Sequence, residues 1–413
     1  MLAMAACGTQ SPNGLLNELM MAESDFYGHY LKAAEKYRIQ ILYTQIDRDS
    51  SNRPHFTRHA YRLDTGEYFY PASTIKLPLV LLALEKLNDL GIGELDKFTP
   101  MFSDSACCRQ TRAIADSTSP DGLPSVGHYI RKILLLSDND ASNRLYEFIG
   151  QEELHRRLAA KGYPHMRIVH RLSVALTTDE NLAMNPVRFE RQGNVIYEQP
   201  PSISMPQPEP AKVELGIGYM EGDSLVRNPM DFTFKNRLGL EDLHRILTAT
   251  IFPEALPPDQ RFGLNDTDYR FIRQYMGQWP GETSYPTDAA DHEDGYSKFI
   301  MLGGNGARPA GSVRIFNKVG MAYGFLIDTG YICDPDSGIE FLLSAVIYVN
   351  ENDIFNDDHY EYDALGLPFL ERLGQTIYRY ELTRERSYKA GLNEFRLPFG
   401  ADQNFSLPEN EIF

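Results

Sequence analysis

The sequence is poor in basic residues, in cysteine and in long apolar runs, and each shortage closes off a class of function. Only 40 Lys and Arg stand against 57 Asp and Glu, leaving a formal net charge of −17. No basic stripe relieves that excess, so a nucleic-acid partner is excluded: phosphate binding depends on clustered cations that release counterions. The longest apolar run, Leu77 to Leu84, is far short of the roughly 20 residues that a membrane-spanning helix needs. The cysteines Cys7, Cys107, Cys108 and Cys333 fall at no metal-ligand spacing, and the histidines form no metal pair. No metal or other cofactor is expected. The three later thiols read as buried or incidental, with one disulfide to Cys333 as the alternative. Internal repeats are lacking as well.

What is present is an ordinary globular composition, 42% hydrophobic and 23% charged, in a chain of 413 residues, enough for two or more cores. Leu15 to Tyr37 reads as one amphipathic helix that packs on a sheet. The alternating stretches Arg38 to Asp47 and His55 to Asp64 read as strands joined by a hairpin-type connection. From Ser73 to about Tyr275 the period is mostly helical, with helices expected over Thr74 to Leu90, Val126 to Leu136, Ala141 to Ile149, Glu152 to Lys161, Leu240 to Thr250 and Asp266 to Tyr275. β-Branched runs return in "GSVRIFNKVG", "GFLIDTGYICD" and "IEFLLSAVIYVN", and a last helix is expected over about Leu367 to Leu382.

The fold class is therefore α/β plus all-α: an antiparallel sheet flanked by N- and C-terminal helices, with an inserted helical subdomain. Residues 15–72 and 308–385 form the discontinuous sheet domain, and 73–307 the helical one, with a Pro-rich surface connection near 191–212. Residues 1–14 read as a leader and 386–413 as a polar tail strapped over the surface. The acidic loop Asn350 to Asp363 lacks calcium-ligand spacing and reads as solvated.

Three short stretches carry chemistry. In "FYPASTIKLPLVLLALEKL", Ser73 and Lys76 lie on one face of a helix start. A desolvated lysine there can accept the serine's proton, and the helix N-terminus favours the negative charge that develops. Ser137-Asp138-Asn139 adds a second hydroxyl and an amide. Lys318-Val319-Gly320, at the end of an expected strand, adds a cation beside a backbone that a ligand can approach closely.

In that order, Ser73-Thr-Ile-Lys76, Ser137-Asp-Asn139 and Lys318-Val-Gly320 resemble the signature elements of class A β-lactamases and penicillin-binding proteins. Pro124 to Gly150 resembles the class A helical segment over its whole length. The resemblance implies Ser73 as acylated nucleophile, Lys76 as its base or proton relay, and Ser137 as proton donor to the leaving nitrogen. It implies Asn139 as the holder of the substrate's side-chain amide, Lys318 as the attractor of its carboxylate, and Gly320 as strand backbone that pairs with it. The oxyanion hole would be the backbone N–H groups of Ser73 and Met321. The implied activity is β-lactam hydrolysis. The alternatives are a D-Ala-D-Ala peptidase or other periplasmic amidase or esterase, and a relative that binds β-lactams or peptides without turnover.

Two departures bear on that choice. Val319 replaces the family's hydroxyl residue, which weakens carboxylate recognition by roughly 1–3 kcal/mol. The glutamate that activates the deacylating water, carried in the family by a loop after an Arg-Leu pair, is not found: Arg171-Leu172 is present, and the glutamate's place is read at Leu176, with Asp179 or Glu180 as substitutes. The start "MLAMAACGTQ" resembles the cleavage end of a bacterial lipoprotein signal, without a basic n-region and with a short apolar part. It implies export to the periplasm, with a lipid anchor at Cys7.

Overall fold

Alternating sequence from opposite ends of the chain meets in one sheet. The computed structural model describes residues 14–399, so the Cys7 anchor lies outside the described residues. The sheet has five antiparallel strands in the order Arg314–Ala322, Phe325–Asp334, Ile339–Tyr348, Gln40–Arg48, Pro54–Tyr61. Ile41 stands opposite Ala345 and Tyr43 opposite Leu343. The two strands Phe325–Asp334 and Ile339–Tyr348 are buried along their whole length, as expected of strands covered on both faces.

One face of the sheet carries α1 (Leu15–Ala22), α2 (Ser24–Lys32) and, near the C-terminus, α10 (Leu367–Thr383). The single helix expected over Leu15 to Tyr37 is thus two. Glu23 leaves helical geometry (φ −113°, ψ 42°), and its carboxylate accepts from Thr376 Oγ1 at 2.9 Å and Arg379 Nη2 at 2.5 Å on α10. Of the apolar face read from the sequence, Leu16, Met20 and Tyr30 are buried, and Tyr27, outside that reading, is buried with them.

The other face carries the larger core. At its centre lies α3 (Lys76–Asp89), buried on nearly every side, which accounts for the apolar run Leu77 to Leu84. Around it stand α4 (Val126–Leu136), α5 (Asn139–Ile149), α6 (Gln151–Ala160), the short α7 (Thr178–Leu182), α8 (Leu240–Ile251) and α9 (Asp266–Gly277). Residues 73–307 are nevertheless not helical throughout. Val187–Arg191 and Asn194–Gln199 pair as a hairpin around Gln192-Gly193, both at positive φ, so the connection read near 191–212 begins as a strand. Gly218–Glu221 pairs in parallel with Ile354–Phe355 and so ties this region to the end of the sheet domain.

The tail is not merely polar. Ala390, Leu392 and Phe395 are buried in the larger core, with the Phe395 ring 4.7 Å from Tyr331 and 5.7 Å from Phe316. Among the described residues no disulfide reaches Cys333: it is a free, buried thiol, and Cys107 and Cys108 are free and exposed. Because Phe395 closes the core under the strand Arg314–Ala322, Phe395→Ala is expected to cost about 3–5 kcal/mol of stability, read as a lowered urea midpoint with an unchanged m-value.

Candidate active site

Ser73 lies in a single 3-10 turn, Ala72–Ile75, that leads into α3. Ala72, just before it, is held at φ +46°, a left-handed conformation uncommon for a residue with a side chain. The turn is pinned by Thr74, whose Oγ1 donates to Pro71 O at 2.6 Å. Its other wall is the edge strand Arg314–Ala322. A Cβ on Gly320 would lie 2.7 Å from Pro71 O and 3.2 Å from Ala72 Cβ, so only glycine lets the strand press against the turn that carries Ser73. Met321 follows, its side chain 49% exposed at the sheet edge.

Lys76 opens α3, fully buried, and its Nζ meets three acceptors: Asn139 Oδ1 at 2.7 Å, Ser137 Oγ at 3.3 Å and, in a short contact, Ser137 O. Ser137 caps α4 in left-handed geometry (φ 57°, ψ 34°), which turns both its carbonyl and its hydroxyl toward the lysine. From the strand side, Lys318 Nζ donates to the same Ser137 Oγ at 2.8 Å. Two buried ammonium groups thus converge on one hydroxyl. Burial, then the proximity of Lys318, hold Lys76 well below an ordinary lysine. Burial lowers Lys318 to about 7, partly opposed by Asp328. Lys76 is accordingly able to act as a proton acceptor, and Lys318 remains charged below neutrality.

The structure brings together Lys76, Ser137, Asn139 and Lys318, and sets Gly320 against the turn that carries Ser73. It does not bring Asp179 or Glu180 to them. Asp179 is exposed in the first turn of α7. Glu180 closes a capping box with Thr177 and is clasped by Arg109 at 3.0 and 2.6 Å, interactions that hold its carboxyl down at about 2. Leu176 is not the position that faces the site either. Ser173, the residue directly after Arg171-Leu172, is: its Oγ accepts from Asn139 Nδ2 at 2.7 Å. Adjacency to the Arg-Leu pair was the signal that would have found it. The loop is bolted to α5 by buried bonds, Arg171 Nε to Glu147 Oε1 at 2.8 Å and Leu172 N to Asn143 Oδ1 at 2.8 Å.

A second set of residues missed by sequence reasoning braces the Lys318 strand from behind. Lys298 Nζ donates to Ile315 O and Asn317 Oδ1, each at 2.8 Å. Asn317 Nδ2 donates to Asp328 Oδ1 at 2.9 Å, and Asp328 Oδ2 accepts from the backbone N–H groups of Phe299 and Ile300. A carboxylate inside the apolar run "GFLIDTGYIC" was the available signal.

A serine probe without a carboxylate is expected to label Ser73 faster as pH rises, because Lys76 must lose its proton to act. A carboxylate-bearing probe should rise likewise and then fall above about pH 7, as Lys318 loses the charge that attracts it. Lys76→Arg, whose guanidinium stays protonated, should slow both by about 10²–10⁴-fold in stopped-flow labelling.

Residues 31–196 match the family described as the Beta-lactamase enzyme family, a stretch that includes Ser73, Lys76, Ser137, Asn139 and Ser173. No curated protein matches the chain. Among solved structures it is similar to a β-lactamase from Sphaerobacter thermophilus, at 12% identity over 88% of this chain and 97% of that one, with a TM-score of 0.47. It is similar to the β-lactamase from Streptomyces albus G, at 16% identity over 87% and 99%, TM-score 0.46. A class A β-lactamase from Mycobacterium abscessus stands at 17% identity over 88% and 98%, TM-score 0.46. No helix among the described residues is long and apolar enough to cross a membrane. The match over residues 31–196 bears out the resemblance to the β-lactamase-like family read from the three motifs.

Proposed function

We propose that the protein is a serine hydrolase that works through an acyl-enzyme on Ser73, and that β-lactams acylate it quickly and leave it slowly. The convergence of Lys76 and Lys318 on Ser137 Oγ supports this reading most directly. Neutral Lys76 takes the proton of Ser73 as Oγ attacks the substrate's amide carbon. The backbone N–H groups of Ser73 and Met321 receive the oxyanion, a stabilisation typically worth about 10²–10³ in rate per donor. When the C–N bond breaks, Ser137 gives its proton to the leaving nitrogen and is resupplied from Lys76. Lys318 draws the substrate's carboxylate, and Asn139 Nδ2 turns from Ser173 to the substrate's side-chain amide.

Slow release follows from Ser173. The position after Arg171-Leu172 carries a hydroxyl, which is too weak a base to activate water, and Glu180 is committed to Arg109. This favours a D-Ala-D-Ala peptidase or related amidase, for which β-lactams act as traps. A β-lactamase that turns over is the second reading, favoured by the family match over residues 31–196. Either reading includes export, with Cys7 as the point of lipid attachment, which radiolabelled palmitate would detect.

Intact-protein mass spectrometry after mixing with a penicillin is expected to give a lasting adduct of the whole penicillin mass, absent in Ser73→Ala. Ser173→Glu should shorten the adduct's lifetime about tenfold or more, the scale of general-base help. Product with only a fleeting adduct would instead establish the β-lactamase, and no adduct with no product would remove both readings.

A further inference from the structure

Beside the loop that carries Ser173 lies a cavity of about 400 Å³, within the roughly 300–1,000 Å³ typical of small-molecule sites. Arg167, His170, Val174, Leu176, Phe234 and Lys235 line it. In a chain so acidic, a lining with two cations and one acid is unusual. Neither Arg167 nor Lys235 has a carboxylate partner among the described residues. Arg167 Nη1 donates to Pro208 O at 2.8 Å, but its buried Nε–H has no acceptor. Lys235 lies only over the Tyr323 ring, at 5.8 Å. Asp231 is the one lining acid, and its Oδ1 accepts from the Thr233 N–H at 2.7 Å.

His170 supplies the opposite need. Its Nδ1 lies 2.7 Å from Arg171 O, a carbonyl that only accepts, so Nδ1 carries the proton. Burial keeps the ring neutral at ordinary pH, with its pKa lowered to about 4. Nε2 therefore holds a lone pair, buried and without a donor. A buried acceptor and a buried guanidinium N–H, both unmet, stand in one cavity, and such groups are costly unless a ligand or water satisfies them. Two apolar lining residues, Val174 and Phe234, leave 46% and 50% of their surface exposed.

The cavity is joined to the nucleophile from both sides. Asn139 binds Ser173, whose neighbour Val174 is cavity wall. The His170 ring stacks on Tyr70, three residues before Ser73, at 6.1 Å and 4°. Tyr70 in turn meets Tyr323, two residues past Met321, edge to face at 5.0 Å.

We propose that this cavity is the subsite for the acyl half of the substrate, and that it selects acyl groups ending in an acidic, peptide-like arm. The carboxylate of that arm faces Arg167 and Lys235, an amide N–H reaches His170 Nε2, and its methylenes lie on Val174 and Phe234. This rests on the acyl-enzyme reading, which it supplies with a substrate class.

The test uses two thioester acyl donors with one leaving group, whose arms end in a glutaryl carboxylate or in the matching primary amide. The wild-type protein is expected to prefer the carboxylate donor at least about tenfold in kcat/KM, equal to about 1.4 kcal/mol. Lys235→Met should bring that ratio near one. Lys235→Glu should turn it toward a donor whose arm ends in an ammonium, an inversion that no structural role produces, with thermal melting as the check on folding. A ratio unchanged in both variants overturns the proposal. If the wild type is acylated by neither donor, the acyl-enzyme reading falls separately. The cavity is then read directly by titrating Ser73→Ala with glutaryl-glycinamide and following the His170 ring signals by NMR: a shift abolished by Lys235→Met keeps the anion site but removes its role as an acyl subsite, and no shift overturns both.

Discussion

The site depends on keeping two lysine ammonium groups close together and away from water. Each buried cation is costly alone, and their mutual repulsion adds to that cost, so the fold must supply compensating acceptors. It does so with main-chain and amide oxygens rather than carboxylates: Ser137 O and Asn139 Oδ1 for Lys76, Val319 O for Lys318. Had a carboxylate paired with Lys76, the pair would be stable and the lysine permanently charged. Asp138 is close enough to raise the Lys76 pKa but spends its side chain capping α5 through the Ala141 N–H. The lowered pKa of Lys76 thus comes from what is withheld from the lysine.

The same economy shapes the backbone. Ala72 and Ser137 both adopt left-handed conformations without being glycine, and each aims a functional group that a regular helix end would turn away. Gly320 is the complementary case, where a side chain is omitted so that a strand edge closes on the turn that carries Ser73. These positions are fixed by the layers behind them. Lys298, Asn317 and Asp328 lock the Lys318 strand, and Arg171 with Glu147 locks the loop opposite.

Much of this was legible in the sequence where local patterns are strong. Val126–Leu136 was readable to the residue because Ser125 caps it by accepting the His128 N–H and the apolar run stops at Ser137. The five sheet strands were readable from alternation and β-branching. The break at Glu23 was not, because the apolar period continues across it, and only the partners on α10 draw the glutamate out of the helix. Strands of two to four residues, such as Gly218–Glu221, carry no period to detect. The three motifs identified the site because each is held within a few residues. Ser173 was missed because the glutamate's place was read at Leu176 rather than directly after Arg171-Leu172, and the cavity was invisible because its walls come from separate segments.

The sheet order has a consequence for biosynthesis. The strand Gln40–Arg48 is made early, yet its inner partner, Ile339–Tyr348, is among the last parts of the described chain. Until that partner arrives, the early hairpin has an unpaired edge and the larger core has no floor. Contacts of such long sequence separation slow folding and favour waiting, chaperone-held intermediates. Ser73 likewise meets the strand of Lys318 only after nearly the whole chain exists. A nascent or truncated chain therefore carries Ser73 and Lys76 without Lys318 beside them, and the cluster is assembled only when the sheet is complete.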